Sequence, residues 1–128
     1  MNKRLILIVL AVLLVLSATH VSAQYNRDLA VSVMRESYTL IGEINSAAAA
    51  EDFYSAGVKL MQLAEAFKSL EQTPPPRGSR AEWDRIHNEL IDAAFRAIGA
   101  CGKRDGGAVQ TEMSKIMALN GEGHGKFK

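Results

Sequence analysis

The sequence has one cysteine, one tryptophan and three prolines, and aromatic residues make up 6% of its 128 positions. A lone cysteine excludes an internal disulfide framework. The prolines are confined to Pro74-Pro75-Pro76, so the rest of the chain is free of the strongest helix breaker. No stretch alternates apolar and polar residues as a half-buried strand does, and nothing repeats in tandem. The longest apolar run, Leu5 to Leu16, has 12 residues, short of the roughly 20 that a membrane-spanning helix needs. Charge of either sign is also scarce in excess: 15 basic side chains face 14 acidic ones, for a net +1. That balance offers no electrostatic footprint for nucleic acid.

What is present begins with a targeting pattern. Asn2-Lys3-Arg4 precede the apolar run, and Val21-x-Ala23 supplies small residues before Gln24, the layout of a secretory signal peptide over residues 1–23. Cleavage there leaves one domain, residues 24–128, in the periplasm. It removes Lys3 and Arg4 but no acid, so the net charge moves from +1 to −1. Cys101 lies far from that junction and cannot carry a lipid. It reads as a small buried apolar residue at a helix end, with a disulfide between two copies as the alternative to a monomer.

Apolar residues then recur at helical spacing throughout, which predicts an all-α chain of four helices. The first spans about Asn26 to Asn45, with Ala30, Val33, Met34, Ile41 and Ile44 on or near one face. The second spans about Glu51 to Gln72, where Phe53, Ala56, Leu60, Leu63, Phe67 and Leu70 step by threes and fours. Thr73-Pro74-Pro75-Pro76-Arg77-Gly78 stops it, and Ser79-Arg80-Ala81-Glu82 is a capping box for the third helix, which runs to Cys101. The fourth begins near Ala108, with Val109, Met113, Ile116, Asn120 and then His124 placed inward. Short connections between helices of similar length favour an antiparallel up-down-up-down bundle.

In that order the start of the first helix, the end of the second, the start of the third and the end of the fourth share one end. Met34, Trp83 and His124 then converge there from three helices. A thioether, an imidazole and a flat aromatic wall are what a low-spin haem requires: two axial ligands and exclusion of water. His87, one turn after Trp83, is the runner-up ligand, otherwise a half-exposed polar residue. Met113 and Met117 read as core. Lys126 and Lys128 read as solvated charges that could offset haem propionates. Tyr38 has no partner in this reading.

The ending His124-Gly125-Lys126-Phe127-Lys128 resembles that of the soluble cytochrome b562 family, in which the haem-ligating histidine is followed by two residues, an aromatic and a basic one. Met34 matches that family's axial methionine, and Trp83 matches an aromatic beside the haem. Met61 followed by Thr73-Pro74-Pro75 keeps the family's spacing, and the likeness covers almost all of residues 24–128. Asn120 and Gly123 stand where the related cytochromes c-prime carry the two cysteines of a covalent attachment. The resemblance therefore implies haem b held without covalent bonds, with iron bound by His124 and Met34, and single-electron transfer with periplasmic redox partners rather than enzyme activity. No nucleophile has a base beside it, and no zinc-ligand spacing occurs. Two other readings use the same bundle: a haem-free helical binding or stress protein, and a gas-binding haem protein in which Met34 stays off the iron. Gly121, Gly123 and Gly125 each cost a helix interior roughly 1 kcal/mol, which predicts a frayed last turn when haem is absent.

Overall fold

The computed structural model describes residues 24–128, and the signal peptide read in residues 1–23 lies outside them. The described chain is all-helical: α1 Arg27–Ala49, α2 Phe53–Glu71, α3 Arg80–Gly102 and α4 Gly106–Phe127. Each helix starts where a short polar side chain can accept one of its orphan backbone N–H groups. Asn26 accepts from Leu29 N (3.0 Å), Asp52 from Ser55 N (3.1 Å), Ser79 from Glu82 N (3.1 Å) and Asp105 from Ala108 N (3.0 Å). The expected capping box is half formed, because the Glu82 carboxylate turns to Arg85 and Lys126 instead of back to Ser79. α1 runs past its expected end at Asn45 because Ala47, Ala48 and Ala49 follow, and alanine is the strongest helix former.

The two short connections use one device twice. α1 ends with Asp52 N donating to Ala47 O (2.9 Å) and Glu51 N to Ala48 O (3.0 Å), and α3 ends with Asp105 N to Ala100 O and Arg104 N to Cys101 O, both 3.0 Å. This is the Schellman closure, whose turning residue must be left-handed. Glu51 (φ 58) and Arg104 (φ 55) fill that place without being glycine. The aspartate that follows each caps the next helix, so only three residues, 50–52 and 103–105, separate the helices they join.

The core is a column of residues with under 2% exposure, among them Ile44, Leu60, Leu63, Ile86, Met113 and Ile116. Burying each such side chain contributes roughly 1.5–3 kcal/mol. Alanines 56, 93, 94 and 97 are wholly buried on the middle helices and let their backbones approach. Successive helices pack along their lengths, whereas α1 and α4 meet at few places. Along α3 and α4 a ladder of ion pairs joins Glu82 to Lys126 (2.8 Å), Arg85 to Glu122, and Arg96 to Glu112 (3.1 Å). No helix among the described residues is long and apolar enough to cross a membrane.

Four residues sit differently from expectation. Met34 is 40% exposed, because Ala30, Val33, Ser37 and Ile41 fill the core stripe of α1 and position 34 lies beside it. Met117, expected in the core, is 48% exposed, displaced in the same way by Met113 and Ile116. His124 is half-buried rather than on the stripe, since Phe127 takes the core position of the last turn. His87, expected half-exposed, is 5% exposed. α4 is helical through all three glycines to Phe127.

Candidate functional site

The end of the molecule where α2 stops, α3 starts and α4 stops is built around Trp83. Ser79 fixes the first turn of α3, which places Trp83 inward at 3% exposure and His87 one turn further on. The His87 and Trp83 rings lie 4.3 Å apart at 47°. His87 Nδ1 is 2.7 Å from the Trp83 carbonyl oxygen, which can only accept, so Nδ1 carries the proton. In the neutral ring Nε2 is then the free lone pair. Burial holds the His87 imidazole below the ordinary histidine range, against the opposing pull of its bond to Trp83.

Phe127 also packs on the indole in a T-shaped arrangement, with centroids 4.9 Å apart and planes at 85°. Its ring also rests on Gly78, whose φ is +81 and whose absent Cβ would lie 3.1 Å from Phe127 Cε1. Only glycine meets both conditions there. Arg80 fastens the proline loop by donating to Thr73 O and Glu71 O, each at 2.9 Å. Outside this aromatic group, Glu82 accepts from Arg85 and Lys126, which holds its carboxyl down to about 2, and Glu122 is lowered by Lys126 and Arg85. Lys126 is thus bound to protein carboxylates, and Lys128 is exposed beyond it.

Trp83 Nε1 and Asp84 Oδ1 are buried without a hydrogen-bond partner, although the Asp84 oxygen lies 2.8 Å from Arg80 Nε as an ion pair.

The two expected ligands lie on separate helices, and ion pairs tell which way each flank faces. Glu43 of α1 reaches Lys59 of α2 (2.7 Å). At about 100° per residue, Met34 and Tyr38 fall on the opposite side of the α1 core stripe, away from α2. On α4, Glu112, Glu122 and Lys126 reach α3, and by the same spacing His124 and Met117 fall on the side away from α3. Both flanks border the thinly made seam between α1 and α4. Around Met34 the surface dips into a depression lined by Val31, Arg35, Tyr38 and Thr39, all of α1. Beside His124, a methyl group added at Gly121 or Gly125 would meet nothing within 4 Å.

The structure therefore brings Trp83, His87 and Phe127 together. It leaves Met34 and His124 bordering one seam, each partly open to water. Sequence reasoning used Phe127 only as part of the chain's ending. Its spacing of 18 from Val109, five helical turns, was the available sign that it joins the core stripe. The cross-helix set Glu82, Arg85, Glu122 and Lys126 was missed, and no spacing within a single helix announces it.

The structure thus leaves one imidazole, His124, and one thioether, Met34, on flanks bordering a common seam. Among the described residues no group of three or more His, Cys, Asp or Glu is arranged to hold a metal ion. No family model, no curated protein and no solved structure matches the chain.

Proposed function

We propose that this protein is a periplasmic electron carrier that binds one haem b without covalent attachment, through His124 and Met34, on an up-down-up-down bundle with antiparallel neighbours. The antiparallel order is supported by the α3 and α4 ion pairs, whose numbers rise on one helix as they fall on the other. It is supported for α1 and α2 by the short connection between them, residues 50–52. In that order Met34 stands about 10 Å from the start of α1 and His124 about 5 Å from the end of α4, at 1.5 Å per residue, so both belong to the Trp83 end. The single observation that supports the reading is that both residues fall on flanks bordering the α1/α4 seam, where the two helices meet at fewer places than the other neighbouring pairs do.

His124 would hold the iron through a ring nitrogen of α4, and Met34 would hold it through its thioether on α1. Trp83 and Phe127 would wall one side and keep water away. Bound there, haem supplies a one-electron couple, and thioether ligation favours its reduced form. A group held by two protein side chains would leave no ligand place for a substrate, which fits a carrier rather than an enzyme. A second reading, a haem-free helical binding or stress protein, is favoured by the exposed apolar stripe Tyr54, Val58 and Met61 on α2. A gas-binding haem protein would differ by leaving Met34 off the iron.

Haemin titration followed by visible absorption separates the three. Stoichiometric binding with a six-coordinate low-spin spectrum is expected. A five-coordinate spectrum moves the assignment to gas binding, and no spectral change moves it to the haem-free protein.

A further inference from the structure

We propose that the outer face of α2 and α3 is the surface on which two copies of this chain pair about a two-fold axis. Besides Met34, Tyr38 and Met117, which border the seam, Tyr54, Val58 and Met61 of α2 and Phe95 of α3 are large apolar side chains between 43% and 84% exposed. Lys59 reaches from α2 to α1, and Arg85 and Arg96 reach from α3 to α4. At about 100° per residue, the four exposed side chains fall on the other flanks, outward and toward the groove between α2 and α3. The half-buried Ile91 and Ile98 lie on the same flank of α3. A Cβ added at Gly57 would be 3.8 Å from Cys101 Cβ, which sets the level of one helix on the other. In the antiparallel order proposed above, Met61 then comes level with the Ala97–Ile98 step, and the six side chains make one oblique strip from Tyr54 to Ile91. The polar residues between them, Ser55, Gln62 and Asn88, are uncharged.

Size and symmetry point to a second copy as the occupant. With roughly 150–250 Å² for a whole aromatic side chain, the exposed fractions along the strip amount to about 400 Å². A stable pair takes roughly 800 Å² from each partner, a little over half of it apolar. The strip is thus the apolar centre of one such patch. A two-fold axis through its middle, at Met61 and Ile98, lays Tyr54 and Val58 of each copy on Phe95 and Ile91 of the other, as a self-complementary contact requires. The same exchange of ends matches the rims. Glu65 and Asp92 stand at the Ile91 end, and Lys103 and Arg104 at the Tyr54 end, where the turn before Gly106 packs beside Phe53. All four are exposed, and none has an ion-pair partner among the described residues. Of the acids at the Tyr54 end, Asp52 and Asp105 are engaged as helix caps, which leaves Glu51 against the two bases. The strip faces away from the α1/α4 seam, so the pairing does not depend on haem.

Sedimentation equilibrium of the purified protein, with a reductant present so that Cys101 cannot link two chains, is expected to give twice the protomer mass at micromolar to submillimolar concentration. Tyr54→Lys and Phe95→Glu should each weaken association more than about tenfold. Helix content by circular dichroism should not change, because both side chains are exposed. Mixed in equal amounts, the two variants should pair again, since the exchange of ends sets the new base of one opposite the new acid of the other. A protomer mass for the unaltered protein overturns the proposal and leaves the strip to a client protein. Twice the protomer mass in both variants, or variants that stay apart when mixed, also overturns it and moves the contact to another surface.

Discussion

The two long flanks of α4 are built to opposite rules. The flank facing α3 carries Glu112, Lys115, Glu122 and Lys126, each in an ion pair. The flank facing α1 carries His124, Met117 and a bare Gly121. Exposed ion pairs contribute little each, so the first flank owes its firmness to the core beneath it and uses charge to set register. The second flank has soft, polarizable groups and open space. One helix thus serves as a fixed wall on one side and an unfilled border on the other.

Breaking the open flank should give the largest effect. His124→Ala is expected to weaken haemin more than about a hundredfold, with the thermal melt of haem-free protein almost unchanged, because His124 contributes no hydrogen bond or ion pair to the described fold. Met34→Ala should retain haem but convert it to a five-coordinate, high-spin form, since a thioether is the weaker ligand. Visible spectra of the two variants decide. An unchanged low-spin spectrum in Met34→Ala would transfer the second axial role to Met117, which borders the same seam.

A smaller effect is expected where both flanks depend on a common anchor. Phe127→Ala removes the ring between Trp83 and Gly78 and should cost about 3 kcal/mol of stability, read by denaturant unfolding. It should also release the helical end that carries His124, lowering haemin affinity without touching a ligand. A loss of stability below about 1 kcal/mol would mean that the ion pairs, not Phe127, hold the last turn.

The smallest effects test the closed flank through acid. His87 is held below its ordinary value of 6.5, so as pH falls below 6.5 the unfolded chain takes up a proton that the native state resists, and stability declines. Glu82 is held down to about 2 from 4.5 by Arg85 and then Lys126. Its contribution is present above 4.5 and is lost as pH falls toward 2. Melts across pH should therefore show two separate declines. His87→Gln should flatten the first and Glu82→Gln the second, and the second should shrink in high salt, as expected for exposed charges.

The four helices were legible in the apolar spacing and, for α3, in the Ser79 cap, whereas Asp52 and Asp105, which cap α2 and α4, carried no signal in that spacing. The spacing also exposed the buried faces of α2 and α3, where the stripe has no rival. At the candidate site the pattern was less decisive. Val33 and Met34 are neighbours that both suit a core, and periodicity alone does not say which turns inward; packing gave the place to Val33. Counting four from Asn120 placed His124 on the stripe, but the glycines at 121, 123 and 125 removed the side chains that would have fixed its centre, and Phe127 claimed it. Helix propensity argued for a loose ending at the same glycines. Tertiary contact outweighed it, through Phe127 on Trp83 and Lys126 on Glu82.

The seat of Phe127 on Gly78 has a further consequence for how the molecule opens. Gly78 belongs to the connection between α2 and α3, and Phe127 closes α4, so that connection and the last helical turn are one mechanical unit. Backbone amides from Gly123 to Phe127 should exchange with deuterium in step with those of Thr73 to Gly78, not in the graded order of a helix unwinding from its tip.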